Sequence, residues 1–382
     1  MLKEIVEVIQ MGDANGNGML LKLELPSGIE IFGLPTENSY GGDWDLGPTW
    51  NYLVMLDKPF LVDTGRLGMG ATLLKMMKAV GIEAKDLDSI LISHGHEDHD
   101  GGLAEMTAQT GAEVKAHSVY DRLIRYYPDD APPDFRKGFP AFCWRCFMPE
   151  SYIAENCLEY HRTRSRVPIR AVHEGNGELG DAVDIRHVPG HSPDALALIL
   201  GGEAILIGDT VLPGITPWPS QEAFFHPVRE ILSPDYTHAE EIFGLRAYIR
   251  SLKKLKKIGT DSGELLVLPA HRLFYGSQWN EIDLGKRVDE LVEHHIQRCG
   301  AVLDIVRRGQ KTAAEIAREH FEERQLKGYG ILMAENEIVS HCELLEACGD
   351  VRRAGDHYQA TGTMNFESFI PSLERESGIP SE

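Results

Sequence analysis

An apolar run that breaks abruptly into reactive side chains constrains this chain more than any other feature. Ile90, Leu91 and Ile92 are followed at once by SHGHEDHDGG, residues 93–102. A short aliphatic and β-branched run reads as a buried strand. Its end carries His94, His96, Glu97, Asp98, His99 and Asp100 before Gly101 and Gly102. The design recurs. PFLVDTG (59–65), AVDIRHVPGHS (182–192), AILIGDTVLP (204–213) and ELLVLPAHR (264–272) each run from a β-type stretch into a turn with an acid or a histidine. Between such strands lie helical stretches such as GMGATLLKMMKAVGI (68–82), where Leu73, Leu74, Met77 and Val80 share a face. Strands alternating with helices, with reactive residues on the loops at strand ends, predict an α/β layered domain.

At 382 residues the chain exceeds one typical core, which predicts a large and a small domain. The first 65 residues read as β-rich. PDDAPPDFRKGFP (128–140) interrupts the alternation and opens an insertion spanning about 128–168. The first domain is expected over 1–280. After about 284 the periodicity becomes helical, with apolar positions 288, 291, 292, 296, 299, 303 and 306 on one face. TAAEIAREHF follows, with Thr312 as an N-cap, then ILMAENEIVSHCELLEACG and a candidate hairpin, DVRRAGDHYQAT. Helices and a hairpin over 284–361 predict a winged-helix pattern. Residues 362–382 are expected to form a loose tail.

Lys and Arg number 38 against 59 Asp and Glu, a net charge of −21. That balance repels polyanions and argues against a nucleic-acid or anionic-membrane binder. No stretch approaches the ~20 apolar residues of a membrane helix. MLKEIVEVIQMGD lacks a signal-peptide core, and six cysteines are too few for a disulfide scaffold. The expectation is a cytoplasmic protein with reduced thiols.

The 93–102 string has the composition of a metal site. Imidazole nitrogens and carboxylate oxygens are the donors borderline cations such as Zn²⁺ prefer. In an extended segment His94 and His96 point to the same side and can lean onto one ion. Asp98 and His99 follow on the turn and can serve a second ion. Gly101 and Gly102 let the backbone fold closely around the cluster. His191, Asp209 and His271, each beyond a β-type run, offer further donors. Asp209 ends an apolar strand, where an unpartnered carboxylate would be costly.

These residues, with VDTG at 62–65, resemble the metallo-β-lactamase superfamily over about residues 50–275. The resemblance implies a four-layer αββα sandwich. It implies one ion on His94, His96 and His191, a second on Asp98, His99 and His271, and Asp209 bridging both. Asp63 would orient a ligand histidine. The C-terminal part resembles the winged-helix appendage of the lactamase-B2-like branch. Its third helix carries four glutamates and no Lys or Arg, a poor reader of phosphates. A structural or homo-oligomer-forming role is expected of it.

The resemblance implies a dinuclear hydrolase in which two divalent ions, Zn first and Fe or Mn as alternatives, make a bridging hydroxide. Asp98 and Asp209 would relay protons. The expected substrate is a small or medium acyl compound: a thioester, ester or lactone. A phosphodiesterase or ribonuclease, an iron-dependent sulfur or redox enzyme, and a ligand-sensing DNA-binding regulator are the other readings. The sequence has no G-x-S-x-G elbow and no Walker loop, so rival catalytic readings lack support. His226 and Tyr275 are candidate substrate contacts. Cys143, Cys146, Cys157 and His161 have the spacing of a further Cys₃His zinc site, although the aromatic-rich segment reads more readily as a lid.

Overall fold

The computed structural model describes residues 2–38, 45–125, 142–143, 148–149, 157–328 and 330–373. The chain divides into two compact units. The first comprises Met1–His187, Asp194–Ile215 and Ser262–Asp283. The second comprises Val188–Pro193, Thr216–Asp261 and Leu284–Glu382.

In the first unit the strands are β1 (Val6–Gln10), β2 (Leu20–Glu24), β3 (Glu30–Thr36), β4 (Thr49–Met55), β5 (Phe60–Val62), β6 (Ser89–Leu91), β7 (Glu113–His117), β8 (Phe142–Cys143), β9 (Met148–Pro149), β10 (Ile169–Val172), β11 (Gly175–Gly177), β12 (Gly180–His187), β13 (Leu196–Leu200), β14 (Ala204–Leu206) and β15 (Leu266–Leu268). An eight-stranded sheet runs β1-β2-β3-β4-β5-β6-β7-β10, and a five-stranded sheet runs β11-β12-β13-β14-β15. Pairing is antiparallel from β1 to β5 and parallel from β5 through β6 and β7 to β10. The helices Gly70–Ala79 and Leu103–Thr110 make the crossovers that parallel neighbours require.

Period-two alternation sorts the first sheet's side chains into two cores. Leu21, Ile31, Val54, Phe60, Val62 and Leu91 join Val183, Ile185, Leu198, Leu206 and Leu268 of the second sheet in one buried cluster. Their neighbours Leu20, Phe32, Leu53, Leu61 and Ile90 point the other way and pack with Leu73, Met77, Leu103 and Met106 of the crossover helices. The fold is therefore mixed α/β, with two sheets face to face and helices outside the first. β5, β6, β14 and β15 are three-residue strands buried throughout. They bring the loops bearing Asp63, 93–102, Asp209 and His271 out of one layered core.

The second unit contains the helices Gly244–Ser262, Leu284–Arg307, Ala313–His320 and Gly330–Ala347. A three-stranded antiparallel sheet forms from Lys311–Thr312, Val351–Ala354 and His357–Ala360, the last in the centre. Thr312 caps its helix as expected: its hydroxyl accepts from Glu315 N–H, and the Glu315 carboxylate returns to the Thr312 N–H. The expected loose tail instead includes a helix, Phe366–Ser372, with Phe366 and Ile370 buried. The Asp350 carboxylate accepts the N–H groups of Asn365 and Phe366 at 2.7 and 2.8 Å. That remote cap starts the helix. No described helix is long and apolar enough to cross a membrane.

Candidate metal centre

Four strand-end loops of the first unit supply the candidate site. His94 and His96 follow β6, and His96 starts the short helix Glu97–Asp100 that carries Asp98 and His99. Asp63 follows β5, Asp209 follows β14, and His271 follows β15. His94, His99 and His271 are almost fully buried, and Asp209 keeps 8% of its surface.

Two groups of donor atoms come together there: His94, His99 and Asp209, and Asp98, His99 and His271. Within each group the ligand atoms lie within 4.8 Å of one another. His99 Nε2 lies 3.5 Å from Asp98 Oδ2 and 3.6 Å from Asp209 Oδ1. His271 Nε2 lies 3.1 and 3.4 Å from the same two oxygens. His94 Nε2 faces His96 Nδ1 at 3.1 Å. Two imidazole nitrogens at that distance need a proton or a cation between them.

The other ring nitrogens fix the tautomers. His99 Nδ1 lies 2.8 Å from Asp63 Oδ2, and His271 Nδ1 lies 3.2 Å from the Pro48 carbonyl. Both partners accept, so each neutral ring carries its hydrogen on Nδ1 and turns the Nε2 lone pair inward. Among the described residues neither Nε2 makes an aligned hydrogen bond. Lone pairs aimed at carboxylate oxygens repel unless a cation intervenes. Without a metal the protein answers with protons. Burial opposes charge on His271, but Asp209 and Asp98 outweigh it and raise its pKa to about 9. His99 is raised by Asp98, Asp209 and Asp63 against the same burial. Asp98 and Asp209 are lowered: burial works against them, and the imidazoles prevail. These donors fit a divalent cation.

Asn38, Thr49, Tyr120, Tyr160 and Arg164 support the site without any sequence signal, while Asp63 and Gly101 stand where the sequence points to them. Asp98 Oδ2 accepts from Asn38 Nδ2 at 2.9 Å and lies 3.4 Å from the Thr49 hydroxyl. Asp63 Oδ1 accepts the Ser93 N–H, and its Oδ2 accepts the Ser93 hydroxyl, each at 2.7 Å. Asp63 adopts φ 65°, a left-handed geometry that Asp tolerates better than most residues. Buried Asp100 accepts from Tyr120 at 2.9 Å, Tyr160 at 2.5 Å and Arg164 at 2.7 Å. Gly101 permits the fold-back, since a Cβ there would lie 2.2 Å from Leu67 N.

His191 belongs to the second unit, where its Nδ1 lies 2.8 Å from the Trp218 carbonyl. His226 stands exposed on the one-turn helix Phe225–Val228 of that unit. Tyr275 donates to Asp45 Oδ2 at 3.2 Å, with Arg272 stacked 4.4 Å from its ring centroid. Cys146 and the side chains of Cys143 and Cys157 lie outside the described residues. His161, the fourth member of that set, is buried and faces Arg164 at 3.1 Å.

Comparison with known proteins bears on the family and the fold. The family model of the metallo-beta-lactamase superfamily matches residues 44–271. A metallo-beta-lactamase family protein from Thermus thermophilus is 23% identical, with 86% of this chain and 98% of that chain covered and a TM-score of 0.63. A beta-lactamase domain protein from Burkholderia ambifaria is 20% identical, with 89% and 94% covered and a TM-score of 0.64. At these identities the two structures speak to fold alone. The family match spans all the strand-end loops just described, and the chain belongs to the metallo-β-lactamase superfamily.

Proposed function

We propose that this chain is a dinuclear metal-dependent hydrolase acting on a small or medium acyl substrate such as a thioester, ester or lactone. The observation that carries the reading is the inward-facing pair of Nε2 lone pairs on His99 and His271, set against Asp98 and Asp209. On this reading Asp98, His99 and His271 would hold one ion, His94, His96 and His191 the other, and Asp209 would serve both. Zn²⁺ suits these nitrogen and oxygen donors, with Fe or Mn as alternatives. Once bound, such ions supply Lewis acidity and an activated water.

The chain's own groups do the rest. Asp63 holds the His99 tautomer through Nδ1 and ties it to the Ser93 backbone. The Pro48 carbonyl does the same for His271. Asn38 and Thr49 steer Asp98, which with Asp209 is the carboxylate poised to take or pass a proton. The hydrolase domain is taken as 1–280, and the helical part over 284–361 as a winged-helix appendage. A helix–strand–helix–helix–strand–strand order supports the latter.

The net charge of −21 favours an acyl over a polyanionic substrate. Metal analysis followed by thioesters, lactones and phosphodiesters on one preparation tests the reading. Asp209→Ala should abolish turnover and lower the metal content. A fully active, fully loaded variant would overturn it, and turnover confined to phosphodiesters would move the chain to the nuclease-like reading.

A further inference from the structure

The second unit pins residues 188–191 from several sides. The Ser251 hydroxyl donates to the Pro189 carbonyl at 2.6 Å. The Ser220 N–H and hydroxyl both donate to the Gly190 carbonyl, at 2.7 and 2.8 Å. Gly190 has φ 127°, and a Cβ there would lie 2.2 Å from Tyr248 N, so only glycine fits. His191 Nδ1 lies 2.8 Å from the Trp218 carbonyl, which fixes the hydrogen on Nδ1 and leaves Nε2 as the donor atom. Ser220 and Trp218 belong to one short run, so the orientation of the His191 ring depends on residues 218–223.

That run is held by the Gly330–Ala347 helix. Asn336 and Glu343 lie seven residues apart, two turns, and so share a helix face. Asn336 Oδ1 accepts from Gln221 Nε2 at 2.7 Å, and its Nδ2 donates to the Pro219 carbonyl at 3.3 Å. Glu343 accepts the N–H groups of Glu222 and Ala223 at 2.8 and 3.0 Å. Asn336 and Gln221 are both buried. Glu222 is itself clamped by Arg246 through two bonds of 2.7 and 2.6 Å. A helix that read phosphates would turn cations outward. This one turns an amide and a carboxylate toward a loop of its own unit.

We propose that Asn336 and Glu343 are positioning residues for the metal ligand His191, acting through residues 218–223 and the Trp218 carbonyl. The inference rests on the proposed ligand role of His191. It assigns the C-terminal helical part to the metal chemistry. A direct partner of a ligand, here the Trp218 carbonyl, is worth about 10–100-fold in metal affinity, and Asn336 and Glu343 act one step further out, at the lower end of that range.

Calorimetric titration of metal-free protein with Co²⁺, read in parallel by visible absorption, tests it on wild type, Asn336→Leu, Glu343→Leu and His191→Ala. Circular dichroism verifies that each variant is folded. His191→Ala should lose one binding event. The two leucine variants should keep both events but weaken that same one by about tenfold and alter its absorption band. Folded leucine variants that bind as wild type, beside a His191→Ala that has lost an event, would overturn the positioning role and leave the ligand reading standing. A His191→Ala variant that binds both ions normally would overturn the ligand reading and the inference together. Should a leucine variant fail to fold, Asn336→Asp keeps the acceptor for Gln221, sets a carboxyl oxygen against the Pro219 carbonyl in place of the donor, and carries the same expectation and the same overturning result.

Discussion

Among the described residues, two buried histidine clusters have opposite electrostatics. In the first unit His99 and His271 face Asp98, Asp209 and Asp63, and both rings are driven toward the charged form. In the second unit His295 Nδ1 meets His341 Nε2 at 3.0 Å, and His341 Nδ1 meets the Glu337 carbonyl at 2.6 Å. Both rings there are fully buried. Burial, then His341, His294 and Arg298, lowers the pKa of His295. Burial and Arg298 bring His341 down to about 4, although Glu337 opposes them. Arg298 also pairs with Glu337, so that carboxylate is already engaged. The lesson is that buried histidine alone does not mark a metal site. A cluster that attracts protons when metal-free has the field a metal needs, and one that repels them is a packed hydrogen-bonded core.

Acid should break this comparison with the largest effect. His341 titrates near 6.5 unfolded and about 4 folded. Between those values the unfolded chain takes up a proton that the folded one refuses, so stability is lost as the pH falls through that window. One such group is worth about 3 kcal/mol. The groups facing the pair are His294, Arg298 and Glu337, with His320 near Arg298. Denaturant unfolding from pH 7 to pH 4.5 should show a shallower loss for His341→Gln than for wild type. Equal slopes would mean that the pair is hydrated. The metal-free centre has the reverse sign: His271 contributes stability below pH 6.5 that is lost as the pH rises through about 9.

The next largest effect belongs to Asp63. Asp63→Asn keeps a residue that tolerates the left-handed backbone and places an amide where an oxygen accepts from His99. If the amide N–H faces Nδ1, the His99 hydrogen is displaced onto the nitrogen that should hold metal. Metal affinity should fall by about 10–100-fold in a competition with a chelator. The second unit's histidines should not respond, so the acid slope of the variant should match wild type.

How much of this was legible follows from how each contact is encoded. The ligand-bearing loops announce themselves, because a strand that ends in His or Asp is a local pattern. The layered α/β core was readable for the same reason. Asn38 and Asp98 lie 60 positions apart, and Arg164 and Asp100 lie 64 apart. Both pairs meet only through sheet register and helix packing, and neither Asn38 nor Arg164 stands in a motif. The Phe366–Ser372 helix hid because its cap is Asp350, some fifteen positions upstream. His294 and His295 adjoin on the Leu284–Arg307 helix, where neighbouring side chains project in different directions and only one can face the core. His295 is the buried one, and its partner is 46 positions away.

The smallest effect sharpens the comparison from within the first unit. Asp100 adjoins the candidate ligand His99, yet its oxygens point to Tyr120, Tyr160 and Arg164. The buried Arg164–Asp100 pair is a third electrostatic solution: a charge satisfied by the protein itself, with no need of a metal. Removing either charge would strand the other and unfold the region. Tyr160→Phe removes one donor and leaves the pair intact. Its expected cost is about 1 kcal/mol in denaturant unfolding. Metal affinity should remain within about twofold of wild type, because Arg164 and Tyr120 still hold the carboxylate. A large drop in metal affinity with stability unchanged would mean that Asp100 is coupled to the ions directly, and that the separation between self-satisfied and metal-ready carboxylates fails at this position.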